Sequence, residues 1–184
     1  SSYYQCAGAW SQIGTPFSFL HQYRMTVSSG IAAGRVASNF TSASYGYAIA
    51  PDSSTFRAIV ARSGTNTILT GSALHTRLKM DAIVADATNV SYYENAKLAA
   101  GPTAHGGITV PSGNMRFGAD NATAIAGLRA EHYLTLLFNI ALSAAQVRAL
   151  TDNPYRIFLP YTRRLWVHTA AAGGAFKAAW ARQR

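Results

Sequence analysis

Residues 77–97 restrict the fold more than any other stretch. Residues 77–86 read as a strand, Ala87-Thr88-Asn89 as a turn and residues 90–95 as the returning strand. Asn95-Ala96-Lys97 then makes a second tight turn before Leu98-Ala99-Ala100. Strands joined this closely leave no room for a crossover helix, so neighbouring strands must run antiparallel. The rest of the chain repeats the pattern. Residues 17–21 and 23–27 are predicted as two short strands, followed by strands over 45–50, 55–61 and 67–70. Gly101 to Gly107 reads as a Gly/Pro-rich loop. Beyond it come strands over 108–110 and 114–118, and a long one over 129–140. Short strands with frequent turns predict an all-β sandwich or barrel, and the absence of βαβ alternation argues against a parallel sheet.

Composition agrees. Hydrophobic residues make up 49% of the 184 residues and charged ones 12%, too apolar for a disordered chain and too short of charge for a helical bundle. One helix is predicted near residues 143–152. Ser143 is its N-cap and Gln146 completes a capping box, while Leu142 and Val147 form a hydrophobic staple. Asn153-Pro154 ends it. No apolar run reaches the roughly 20 residues that span a bilayer. The start lacks both an initiator Met and a basic-then-apolar leader, so a processed chain or a fragment is expected. The single Cys6 excludes an internal disulfide and fits synthesis in a reducing cytosol.

The order of these pieces resembles the concanavalin A-like, laminin G-like jelly-roll superfamily over roughly residues 45–150. The family hairpin is matched by residues 80–86 and then Val90-Ser91-Tyr92-Tyr93-Glu94-Asn95-Ala96-Lys97, with Ala96 in place of the usual Gly. Because Ala tolerates positive φ poorly, a different turn type is expected there. Met115-Arg116-Phe117-Gly118-Ala119 looks like the family's strand ending in Ile-Gly, and residues 132–143 look like its last core strand running into a Leu-Ser helix cap. Residues 142–158 and the ending Ala179-Trp180-Ala181-Arg182-Gln183-Arg184 are similar in style to phage- and prophage-encoded members. The resemblance implies an antiparallel jelly-roll sandwich over residues 1–154, and a virion structural protein made in a bacterial host's cytoplasm.

Charge sets the end of the chain apart. Sixteen Lys and Arg stand against seven Asp and Glu, and the last acid is Asp152. Beyond it lie Arg156, Arg163, Arg164, Lys177, Arg182 and Arg184, interleaved with Phe158, Tyr161, Trp166, Phe176 and Trp180. Residues 155–184 are therefore expected to be a basic, aromatic extension. Trp, Tyr and Arg are the usual anchors of protein interfaces. Tyr155, Phe158, Arg163, Arg164, Trp166 and Trp180 are the candidate partner-binding residues, and residues 165–167 read as a strand for pairing with a neighbour. The expected partners are other virion proteins or copies of the same chain; membrane and nucleic acid are not expected.

Catalytic chemistry finds little support. Glycoside hydrolysis needs two carboxylates flanking one bond. The two Glu, Glu94 and Glu131, lie in different segments without an acid two residues away, and Asp81 and Asp86 fall on opposite faces of an ideal strand. No Gly-x-Ser-x-Gly is present, and His21, His75, His105, His132 and His168 lack zinc spacing. Asp120-Asn121 is the best calcium candidate but reads better as a capped turn, so neither metal nor cofactor is expected. The alternative function is a carbohydrate-binding, lectin-like adhesion module with a surface glycan as partner. Tyr45, Tyr47, Tyr92 and Tyr93 are its candidate stacking residues, although strand tyrosines more often pack in the core.

Overall fold

A computed structural model describes residues 4–6, 13–26, 35–39, 46–52, 54–62, 65–108, 110, 114–118 and 130–158, with backbone alone at 4–6. The chain divides into two units, Ser1–Pro154 and Tyr155–Arg184. The first is an antiparallel jelly-roll sandwich with one helix. Its described strands are β1 (Tyr4–Cys6), β2 (Phe17–Met25), β3 (Ala37–Ser38), β4 (Gly46–Ile49), β5 (Thr55–Arg62) and β6 (Thr65–Ala73). They continue as β7 (Leu78–Ala85), β8 (Asn89–Glu94), β9 (Lys97–Ala104), β10 (Met115–Phe117) and β11 (Ala130–Phe138), followed by helix α1 (Ala144–Asp152). One sheet has the order β1-β10-β3-β4-β5-β6 and the other β11-β2-β7-β8-β9.

Three expectations need correction. Residues 17–25 form one strand rather than two, because β2 lies between β11 and β7 and both neighbours hydrogen-bond along its length. Strand β9 runs through Gly101 and Pro102, which had read as loop, and the change of register opposite Tyr92 accommodates them. Pro102 lacks an N–H, which an edge strand tolerates. Residues 108 and 110 are not in a strand.

The core fills the space between the sheets. From β2 it takes Phe17, Phe19, Tyr23 and Met25, from β4 Tyr47 and Ile49, and from β5 Phe56, Ala58 and Val60. Ile83, Ala85, Val90 and Tyr92 come from the β7–β8 hairpin. The outer face of the five-stranded sheet is covered as well. Leu20, Met80, Ala82, Val84 and Leu136 pack under Val147 and Leu150 of α1. Burying each such aliphatic side chain contributes roughly 1.5–3 kcal/mol. The helix begins as its cap residues predict: Ser143 Oγ accepts from Gln146 N at 3.3 Å, and Gln146 Oε1 accepts from Ser143 N at 2.8 Å. Leu142 and Val147, the staple pair, are both buried in this second cluster. Ser18, also on the outer face, donates to Ile140 O and accepts from Leu142 N, both at 2.8 Å, and so ties the entry of α1 to β2.

Because both faces of β7 are covered, one row of its side chains points into the sandwich and the other toward α1. Lys79, Asp81, Ile83 and Ala85 take the inward row, and that choice positions the site described next.

Candidate functional site

Register across the β7–β8 hairpin places Asp81 directly opposite Glu94, Ile83 opposite Tyr92 and Ala85 opposite Val90. Opposed residues of an antiparallel pair project to the same face. Two acids from separate segments therefore meet on the inner face, beside Lys79. The ammonium of Lys79 lies 2.6 Å from Glu94 Oε1 and 3.0 Å from Asp81 Oδ1, the latter an ion-pair contact outside hydrogen-bond geometry. Its third side rests on the Phe56 ring, 3.3 Å from the centroid. Asp81 Oδ2 accepts from Tyr23 Oη at 2.6 Å and from Tyr92 Oη at 2.8 Å. Tyr92 Oη also lies 3.1 Å from Glu94 Oε1, and Glu94 Oε2 accepts from Ser72 N at 2.9 Å.

One ammonium facing two carboxylates leaves an excess negative charge in a dry place. Burial pushes the Asp81 carboxyl up to about 6, with Lys79 and the Tyr23 hydroxyl pulling the other way. Burial also acts to raise Glu94, but the Lys79 ammonium and the Ser72 amide together outweigh it and hold Glu94 below its usual range. Tyr23 and Tyr92 are raised by burial and then by the adjacent Asp81 charge, so both remain hydrogen-bond donors.

Gly71 of β6 lets the second sheet reach this cluster. A β-carbon there would collide with the Glu94 carboxylate and the Tyr92 ring. The close approach brings Ser72 N onto Glu94 and opens a pocket of about 310 Å³ at the sandwich edge. Ser72, His75, Lys79, Glu94, Asn95 and Leu98 line it, with Lys97 and Ala99 at the β9 side. Asn95 serves the walls too: its Oδ1 accepts from Met80 N at 2.9 Å, and its own N donates to Met80 O at 2.8 Å. The turn carrying it is a two-residue hairpin loop with positive φ at both positions, 46° at Asn95 and 68° at Ala96. Ala96 thus keeps the glycine-type turn instead of replacing it.

A second polar cluster lies within the same sandwich. His21 Nδ1 is 2.8 Å from Thr135 Oγ1, and His21 Nε2 is 2.9 Å from His132 Nδ1. The Phe117 ring stacks on His21, and burial lowers both imidazoles. His21 is fully buried. The pair has no third ligand, and among the described residues no three His, Cys, Asp or Glu side chains gather as a metal site.

Of the predicted partner-binding residues, Tyr155 and Phe158 are exposed, the first just before and the second at the end of a single 3-10 turn over Arg156–Phe158. Arg163, Arg164, Trp166 and Trp180 lie outside the described residues, as do the strand predicted at 165–167, Asp120-Asn121 and Tyr45. Tyr47 and Tyr92 are fully buried and Tyr93 packs beneath α1, so these three candidate stacking residues pack within the fold. Among the described residues no helix is long and apolar enough to cross a membrane. The Asp81–Glu94 meeting was missed. The hairpin itself was legible, and counting outward from its turn gives the register that pairs them.

No protein-family model matches the sequence, and no curated protein matches it. Solved structures do match in fold. A botulinum neurotoxin DC binding domain in complex with rat synaptotagmin II superposes with a TM-score of 0.60 at 16% identity, covering 83% of this chain and 38% of that one. Botulinum neurotoxin type C, whose cell entry depends on two ganglioside molecules, gives 0.56 at 13% identity over 74% of this chain and 35% of the toxin chain. A Trypanosoma rangeli sialidase in complex with 2,3-difluorosialic acid gives 0.61 at 13% identity, covering 80% and 24%. What these chains share with this one is the β-sandwich fold. This chain spans little more than a third of the toxin chains and about a quarter of the sialidase, and at these identities the likeness speaks for the fold alone.

Proposed function

We propose that this domain is a lectin-like binding module that holds a saccharide in the pocket between β6 and the β8–β9 hairpin. The observation that carries this reading is the pocket's lining. His75 Nε2, Asn95 Nδ2 and the Lys97 ammonium have no partner among the described residues, and they stand beside the exposed Ala99. Converging polar groups with a small apolar wall suit a sugar ring, which offers hydroxyls at its edge and C–H groups on its face. The volume is at the lower end of ligand clefts. Beneath it the Lys79–Asp81–Glu94–Tyr92 network holds the walls in place. The network is built for rigidity, since Asp81 and Tyr92 are fully buried and out of reach of a ligand.

The fold neighbours support this reading: one is studied with gangliosides and another with a sialic acid derivative. A role in a virion would rest on the sequence style of the C-terminal segment, and none of the solved structures named above is a virion protein. The test is a glycan array probed with the full chain and with Ala99→Trp, which fills the pocket mouth from an exposed position. Specific binding that disappears in the variant at unchanged melting temperature is expected. An array without specific binding, or binding that Ala99→Trp leaves intact, would remove the pocket from consideration.

A further inference from the structure

We infer that the sugar this pocket takes is acidic, bearing a carboxylate that the Lys97 side of the pocket receives. This rests on the saccharide-binding reading above and specifies its ligand. The argument is an account of donors and acceptors. The pocket's own carboxylates are already engaged: Asp81 faces Tyr23, Tyr92 and Lys79, and Glu94 faces Lys79, Tyr92 and the Ser72 amide. Asp81 is fully buried and the Glu94 side chain is only 12% exposed.

What remains to meet a ligand is almost entirely donors. Asn95 uses Oδ1 on Met80 N and is left with its amide hydrogens. His75 uses Nδ1 to accept from Arg77 N at 3.3 Å, so its Nε2 carries the proton. Lys97 is exposed and brings three N–H groups with a full charge.

A neutral sugar presents hydroxyls that both give and accept, and it would meet few acceptors here. A carboxylate accepts at both oxygens and gains charge-assisted hydrogen bonds from the ammonium. The wider field agrees. Lys79 and Lys97 line the pocket against Glu94 alone, and Lys97 is the exposed cation of the two.

Titrating the full chain with glucuronate, glucose and glucose 6-sulfate, followed by NMR chemical shifts at low and high salt, tests the assignment. Glucuronate is expected to bind about tenfold tighter than glucose, equivalent to about 1.4 kcal/mol. The advantage should shrink as salt is added. Lys97→Gln should remove most of that preference, and Lys97→Arg should keep it. Glucose binding as tightly as glucuronate, or a preference that Lys97→Gln does not move, would overturn the acidic assignment and leave saccharide binding standing. Tighter binding of the sulfate ester would replace carboxylate by sulfate. Absence of binding by all three sugars would take the saccharide reading down with it.

Discussion

Position 96 shows how much one residue carries. The hairpin between β8 and β9 has two loop residues, and both adopt positive φ. Asn is at home there, and its side chain continues the ladder toward Met80. Ala is not, because its β-carbon crowds the following carbonyl, at a cost of about 1–2 kcal/mol. Ala96→Gly should therefore stabilise the domain by about 1 kcal/mol, part of the relief being offset by the greater freedom of glycine in the unfolded chain. Urea denaturation checks this; a midpoint unchanged or lowered by the substitution would contradict it. Ala96 was recognisable as the odd residue of the turn, but its backbone conformation was not. The neighbouring strands hold the loop to two residues, and only one family of turns closes so short a hairpin.

At the scale of elements, the helix was the most legible part. Ser143, Gln146, Leu142 and Val147 form a local code whose partners all lie within five residues; both capping hydrogen bonds are present, and both staple residues are buried in one cluster. Removing the cap hydroxyl in Ser143→Ala should cost about 1 kcal/mol. Thermal melts should show this loss, and a null result would mean that packing of Val147 and Leu150 alone sets the helix start. Strand β2 was harder. Its alternation breaks because Leu20 is buried under α1 while Phe19 and His21 are buried between the sheets. A strand covered on both faces reads as a continuous apolar run, and such runs carry no signal of face or length. Strand β9 was concealed by Gly101 and Pro102, residues that edge strands accept and central ones do not.

The whole molecule has a charge arrangement with opposing responses to pH. Asp81 has its folded value raised to about 6, above the unfolded value near 4. Its favourable contribution is therefore complete below the unfolded value and is lost as pH rises through about 6. His21 and His132 are lowered, foremost by burial, so their contribution is present above their unfolded value near 6.5 and is lost as pH falls through the folded one. Glu94, also lowered, acts in the same direction as the histidines at more acid pH. Asp81→Asn leaves Lys79 and Glu94 as a neutral pair and removes the Asp81 contribution that favours acid. Measured against the native chain, the variant should be more favourable at pH 7 than at pH 5, by about 1 kcal/mol. Urea melts of both proteins at the two pH values decide it; an equal difference at both would show that Asp81 does not titrate in that window.

Turns, caps and short-range alternation are written in neighbouring residues, and so the antiparallel sandwich, its main hairpin and its helix could be read from the chain alone. Distances of a few residues suffice for those interactions, whatever the rest of the molecule does. The pocket depends on something else. Lys79 and Asp81 point inward only because α1, some sixty residues later, covers the opposite face of β7 with Met80, Ala82 and Val84. Glu94 joins them through register, and Gly71 brings the second sheet close enough for Ser72 to complete the ring. Which face of a strand turns inward is set by what packs on either side, and that competition between two coverings has no counterpart in local sequence.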